Sequence, residues 1–320
     1  MNLVVLDADT LGFPDEAWEG VAALGRLVRH GSTPYDPDII AERCADAEIV
    51  LTNKVPFSAQ TLKRLPRLKL ICILATGYNI IDLPAAQAAG VTVCNVPAYS
   101  TRSVIQHTLA LMLEALNHAG LHNASVHAGE WVRSPLFAYW KQAPVELAGR
   151  TVGIIGYGEI GSGVGEVVHA LGAQVLGHSP SRSRKPAWMP FEWAGPEAIF
   201  ERADVVSLHC PQTPENAGFV NAGLLGRMRP GSVLINTARG GLINETDLAA
   251  ALREGPLAAA AVDVLSREPM DPQCPLLGLE NCIITPHIAW ASEPARRRLL
   301  AVTAANIRAF QSGEPRNVIN

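Results

Sequence analysis

Short runs of apolar and β-branched residues alternate with longer segments of helical spacing along the whole chain. That alternation is the pattern of parallel strands covered by helices on both faces, and it predicts an α/β protein. In the first third, apolar runs at 3–6, 48–52, 69–74 and 91–95 predict strands, with Ala- and Leu-rich stretches between them. A second set of predicted strands lies at 152–155, 174–177, 204–209, 232–236, 259–262 and 283–285. Between the sets runs a long helical stretch that starts at Ser100 or Thr101, either able to cap it, and repeats Val104, Ile105, Leu109, Met112, Leu113 and Leu116 at helical spacing. A last helix opens at Ser292, carries Pro294 in its first turn, continues through Leu299, Leu300, Ile307 and Phe310, and stops at Gly313. The segment 179–190, with Pro180, Pro186 and Pro190, reads as a loop.

Composition narrows the classes. At 320 residues, 48% hydrophobic and 18% charged, the chain has the make-up of a soluble globular protein, with length for about two domains. A net charge of −4 supplies no basic excess, so a nucleic-acid partner is not expected. The apolar runs fall far short of the roughly 20 residues of a membrane span, so no membrane partner is expected either. Asp7 follows the first apolar run closely and no basic segment precedes it, which argues against a secretory leader. Six cysteines without CxxC spacing point to reduced thiols and a cytoplasmic location.

The strongest motif is TVGIIGYGEIG at 151–161, a GxGxxG that leaves a buried strand and enters a helix. Gly156 permits the tight turn, Gly158 lets backbone amides approach a pyrophosphate, and Gly161 lets the helix close on the strand; Glu159 and Ile160 lie in the same turn. In such a sheet ligands bind beyond the carboxyl ends of the strands. Three of those ends carry unusual chemistry: Thr237, Ala238 and Arg239 before a pair of glycines, Asp263 to Glu268, and Pro286 with His287. Beside a nicotinamide, Arg239 would grip a 2-oxo acid through its forked donors. His287 would protonate the forming alkoxide, and Glu268 would orient the imidazole.

On these residues, together with ATGYNIID at 75–82, NVPAYST at 95–101 and SVIQHT at 103–108, the chain resembles the D-isomer-specific 2-hydroxyacid dehydrogenases, above all their glycerate dehydrogenase/hydroxypyruvate reductase branch. The resemblance implies two doubly wound parallel-sheet domains. A flavodoxin-like substrate domain would comprise 1–98 and 288–320, and a Rossmann dinucleotide-binding domain would be inserted at 99–287. It implies Arg239, Glu268 and His287 as the catalytic set, and Thr101 and Asp263 against the cofactor. Ala75, Thr76 and Gly77 would receive the substrate carboxylate. It also implies a homodimer, with Trp140 in the contact or on the rim of the substrate pocket. Lys54, after the second predicted strand, is a candidate for the carboxylate or a solvated strand-end lysine. The acid at 268 weighs against formate as substrate.

One departure from the family pattern concerns the cofactor. No acid closes the strand at 174–177; His178 and Ser179 stand there, followed by Ser181, Arg182, Arg184 and Lys185. Without a carboxylate to bind the ribose hydroxyls and repel a 2′-phosphate, and with Ser179, Ser181 and Arg182 to receive one, NADP(H) is the expected cofactor and NAD(H) the second choice. The expected reaction is reduction of a hydroxypyruvate- or glyoxylate-type 2-oxo acid to the D-2-hydroxy acid. The alternative is a non-catalytic dinucleotide-sensing scaffold, which would carry a damaged catalytic set. His118 and His122 stand one helical turn apart, but no local carboxylate or cysteine joins them, so no metal is expected.

Overall fold

The computed structural model describes residues 1–320 and resolves into two units, Met1–Ser100 with Ala291–Asn320, and Thr101–Trp290. In the first unit, β1 (Asn2–Val5), β2 (Arg26–Arg29), β3 (Ile49–Thr52), β4 (Leu70–Ile73) and β5 (Thr92–Cys94) form an all-parallel sheet in the order β2-β1-β3-β4-β5. The inner strands β3 and β4 are buried along their whole length, which is why they read as continuous apolar runs. Strand β2 is not expected from the sequence: it pairs on one side only, and its RLVR segment alternates exposed and half-buried positions. Helices α1 (Glu19–Ala22), α2 (Pro37–Arg43), α3 (Ala59–Lys63) and α4 (Leu83–Ala88) connect the strands. Asp36, Ser58 and Asp82 cap α2, α3 and α4 with side-chain oxygens. The C-terminal helix Glu293–Gln311 belongs to this unit, and beyond it the Asn317 carbonyl and Ile319 amide pair with the β5 edge at Asn95 and Val93.

The second unit contains β6 (Thr151–Ile155), β7 (Gln174–His178), β8 (Phe191–Trp193), β9 (Val205–Leu208), β10 (Ser232–Asn236), β11 (Leu257–Val262) and β12 (Cys282–Ile284). All pair in parallel, in the order β12-β11-β10-β9-β6-β7-β8. The chain winds outward from β6 in one direction and from β9 in the other, so the crevice for a ligand opens where these two strands adjoin. Strand β8 is likewise unexpected; it is a three-residue edge strand just past the loop at 179–190. The helices are α5 (Thr101–Asn117), α6 (Ala119–His127), α7 (Glu130–Arg133), α8 (Glu159–Ala170), α9 (Pro196–Arg202), α10 (Ala222–Leu225) and α11 (Glu245–Arg253).

Side-chain alternation along each strand builds two cores. Val233, Ile235, Ala259 and Ala261 join Leu111 and Met112 of α5 and Val164 and Val168 of α8 on one face. Leu234, Ala260 and Val262 join Phe200, Leu248 and Leu252 on the other. Helix α5 packs across β10 and β11 and along α8, where a Cβ on Gly163 would come within 2.3 Å of the Ile105 side chain. No helix is long and apolar enough to cross a membrane.

Candidate active site

The glycine turn meets its packing requirements at two positions and leaves the third open. Gly156 has φ +95°, and a Cβ there would lie 2.4 Å from the Cys210 amide nitrogen; one on Gly161 would lie 2.3 Å from the Gly156 carbonyl oxygen. A Cβ on Gly158 would meet nothing within 4 Å. Gly158 also caps α8 with no side-chain acceptor, in contrast to the Asp and Ser caps of α2, α3 and α4. No backbone carbonyl takes the first-turn amides of Glu159, Ile160 and Gly161. An open cradle above bare helix amides suits a pyrophosphate, and the residues present therefore fit a dinucleotide.

The turn is tied to β7, because the His178 carbonyl accepts from the Gly156 and Tyr157 amides at 2.9 and 2.7 Å. The His178 imidazole is turned away to the Ala194 carbonyl at 3.1 Å. Beyond it, the hydroxyls of Ser179, Ser181 and Ser183 form a chain with spacings of 3.3 and 3.1 Å, and Arg182 is exposed with a left-handed φ of +46°. Arg184 and Lys185 turn to a cleft along α8 that Glu159, Ser162 and Glu166 also line. His209, after β9, is held neutral at physiological pH: burial pushes its pKa down to about 4, and the Ser207 hydroxyl lies 2.8 Å from Nε2.

The catalytic candidates all lie in this unit, on turns after β10, β11 and β12. Asn236, fully buried at the end of β10, clamps the first turn: its Nδ2 donates to the Arg239 carbonyl at 2.9 Å and its Oδ1 accepts from the Ala238 amide at 3.0 Å. The Thr237 hydroxyl is 2.8 Å from that of Thr108 on α5. The exposed Arg239 guanidinium donates from one nitrogen to the Ala238 carbonyl at 2.7 Å. The next turn lies directly against this one, since a Cβ on Gly240 would fall 1.9 Å from the Leu265 carbonyl carbon. Glu245 holds that second turn through the Ser266 amide at 2.6 Å.

Glu268 and His287 come together. Nδ1 of the imidazole donates to Glu268 Oε2 at 2.6 Å, with both side chains about 30% exposed (30% and 32%). His287 has φ +54°, a conformation that costs a non-glycine residue about 1–3 kcal/mol and persists only where surrounding contacts enforce it. Those contacts converge on Asp263, whose side chain is wholly buried. Its Oδ1 accepts from the Thr285 hydroxyl at 2.6 Å and the Ile288 amide at 2.9 Å, and its Oδ2 from the Ala289 amide at 2.8 Å. Its carbonyl accepts from the His287 amide at 2.8 Å. Asp263, expected against the cofactor, thus spends its carboxylate on the 285–289 turn.

The remaining candidates are dispersed. Thr101 is the first residue of α5. Trp140 is 67% exposed on the arm beyond α7, where Leu136 and Phe137 are exposed as well, as is Val132 on α7 itself. His122 is engaged at both ring nitrogens, Nδ1 with the His118 carbonyl and Nε2 with the Lys141 amide. In the first unit, the turn Ala75–Gly77 is anchored by the Thr76 hydroxyl on the Val96 carbonyl and by Asn95 Nδ2 on the Thr76 carbonyl, each at 2.8 Å, while no backbone carbonyl takes its three amides. Lys54 follows β3 in a turn organised by buried Asp7, which accepts from the Asn53 and Lys54 amides. Asn236, Glu245 and Asp7 are not among the residues that the sequence assigns to the site; Asn236 and Asp7 are marked there only as polar residues closing an apolar run, and Glu245 lies within the polar stretch 244–247.

Residues 109–289 match the family described as D-isomer specific 2-hydroxyacid dehydrogenase, NAD binding domain. The chain is 40% identical over 321 residues to a hydroxypyruvate reductase of Blautia hydrogenotrophica, covering 100% of both proteins. It is 40% identical to a glycerate dehydrogenase of Methylorubrum extorquens, covering 89% of each. An NADPH-dependent glyoxylate/hydroxypyruvate reductase from Sinorhizobium meliloti, solved with NADP and malonate, superposes with a TM-score of 0.84 at 26% identity, over 99% of this chain and 96% of that one. The chain belongs to the D-isomer-specific 2-hydroxyacid dehydrogenase family, and is an oxidoreductase of 2-hydroxy acids that uses a nicotinamide cofactor.

Proposed function

We propose that this protein reduces a small 2-oxo acid of the hydroxypyruvate or glyoxylate type to the D-2-hydroxy acid, with NADPH as the preferred cofactor. The 2.6 Å pair of Glu268 and His287 carries the reading. With Nδ1 committed to the carboxylate, Nε2 is the nitrogen that exchanges the substrate proton, and Glu268 balances the imidazolium charge before transfer. Bound reduced nicotinamide supplies the hydride. Arg239, held by the Asn236 clamp, has guanidinium N–H groups left to grip the carboxylate and polarise the carbonyl. The amides of Ala75, Thr76 and Gly77, with Lys54, receive the substrate carboxylate. Thr101, Thr237 and Ala238 border the cofactor, and Trp140 the substrate. An intact Arg239, Glu268 and His287 set favours this reading over a sensing scaffold.

For the cofactor, the support is the lack of a carboxylate at the end of β7 and the hydroxyl chain next to Arg182. Following absorbance at 340 nm with a panel of 2-oxo acids and both cofactors tests the assignment. The expected result is turnover of hydroxypyruvate or glyoxylate, with kcat/KM for NADPH at least about 10-fold above NADH, about 1.4 kcal/mol. No turnover of any 2-oxo acid would refute the enzymatic reading; equal use of both cofactors would refute the preference. The exposed Val132, Leu136, Phe137 and Trp140, 65–93% accessible, form an apolar surface that a second copy of the chain would cover as a homodimer. Sedimentation of wild type and Phe137→Glu tests this, with a monomeric variant expected.

A further inference from the structure

We propose that helix α5 is the strut that holds the His287 turn in its working geometry, and that His107 is a positioning residue for the reaction. The proposal rests on the reading that His287 transfers the proton. Ser103 and His107 are four residues apart and so share one face of α5. The Ser103 hydroxyl donates to the Ala289 carbonyl at 2.6 Å, and His107 Nε2 lies 3.1 Å from the Thr285 hydroxyl and 3.4 Å from Asp263 Oδ1. The helix therefore grips the 285–289 turn at both ends, with His287 in its left-handed conformation between them.

The hydrogen bonds run in one direction. A carboxylate only accepts, so Thr285 donates its hydroxyl proton to Asp263 and is left to accept from Nε2–H of His107. His107 thereby fixes the Thr285 hydroxyl on Asp263, and Asp263 fixes the Ile288 and Ala289 amides. With no Lys or Arg within ion-pair distance of Asp263, His107 is the charged or polar partner nearest its carboxylate from α5. The adjacent Thr108 meets Thr237 at 2.8 Å, so consecutive α5 residues reach the two turns that bear His287 and Arg239.

The test compares His107→Leu, His107→Gln, Thr285→Val and the His107→Leu/Thr285→Val double variant. Amide exchange at Ile288 and Ala289 is followed in the unliganded protein, and kcat, substrate KM and NADPH Kd in the holoenzyme. A glutamine amide reproduces the Nε2 donor, whereas leucine fills the space without one. The expected result for His107→Leu is exchange faster by about 10-fold, kcat lower by about 10- to 100-fold, and NADPH Kd within about twofold of wild type. His107→Gln should recover most of kcat, and the double variant should be no slower than Thr285→Val alone, as expected for one chain of contacts. Wild-type exchange and kcat in His107→Leu, or a glutamine variant no better than leucine, overturns the proposal. His287→Gln, measured alongside, separates the two readings: wild-type kcat there removes the proton-transfer role of His287, while the exchange result judges the strut without turnover. If the leucine variant fails to fold, His107→Gln and Thr285→Val carry the same comparison.

Discussion

Asp263→Asn changes one atom of a buried side chain and asks whether the His287 turn depends on it. The carboxylate offers two acceptor oxygens to three donors, Thr285 and Ile288 on one and Ala289 on the other. An asparagine offers one oxygen. Placed at the Oδ1 position, it leaves its amide facing the Ala289 N–H; flipped, it leaves its amide facing the Ile288 N–H, and the Thr285 hydroxyl must turn from donor to acceptor. A lost hydrogen bond to a buried charged acceptor is worth about 1.5–3 kcal/mol, so the better orientation costs about that much. For a unit of this size the loss corresponds to a melting temperature lower by about 3–12 °C. Because the bonds that enforce the strained His287 backbone are weakened, kcat should also fall by about 10- to 100-fold. Thermal melting of the unliganded protein beside steady-state turnover reads both effects. A carboxylate whose role was to contact cofactor would instead leave the unliganded melting temperature unchanged and weaken NADPH binding. An Asp263→Asn protein that melts within about 1 °C of wild type would falsify the dependence of the turn on this carboxylate.

Gly158→Ala should melt like wild type, since its Cβ meets nothing in the fold, yet bind NADPH at least about 10-fold more weakly by fluorescence titration, because the methyl occupies the pyrophosphate cradle. Gly156→Ala should destabilise the fold itself, its Cβ being driven against Cys210; equal behaviour of the two variants would undo the distinction. His287→Gln should lose about 10²–10⁴-fold in kcat without loss of melting temperature, and Arg239→Lys should be nearly as impaired as Arg239→Ala in substrate KM and rate. His209 titrates at about 4 when folded and near 6.5 when unfolded. The unfolded chain binds the extra proton between those values, so this contribution to stability is complete above about pH 6.5 and is lost as pH falls towards 4, to a limit of about 3 kcal/mol. Urea midpoints at pH 4.5 and 7 should therefore differ less in His209→Gln than in wild type.

The inner strands of both sheets are legible in the sequence because they are buried on two faces and leave unbroken apolar runs such as 69–74. The turns that carry residues 239, 268 and 287 are legible because a doubly wound sheet delivers the residues after its strands to one edge, so chain position alone brings these candidates there. Strands β2 and β8 escape because the RLVR and FEW segments carry neither a long apolar run nor a full alternation of apolar and polar residues. Only the tertiary structure decided which donor meets which acceptor. Nothing near residue 263 in sequence announces that its carboxylate holds the amides of 288 and 289, and nothing near 107 announces contact with 285. Those partners are 25, 26 and 178 residues apart, and the contacts exist because the parallel crossovers return β11, β12 and α5 to the same place. Local pattern encodes which residues are buried and which stand at a strand's end, whereas a hydrogen-bond network is set by distances between segments that the chain brings together only when folded.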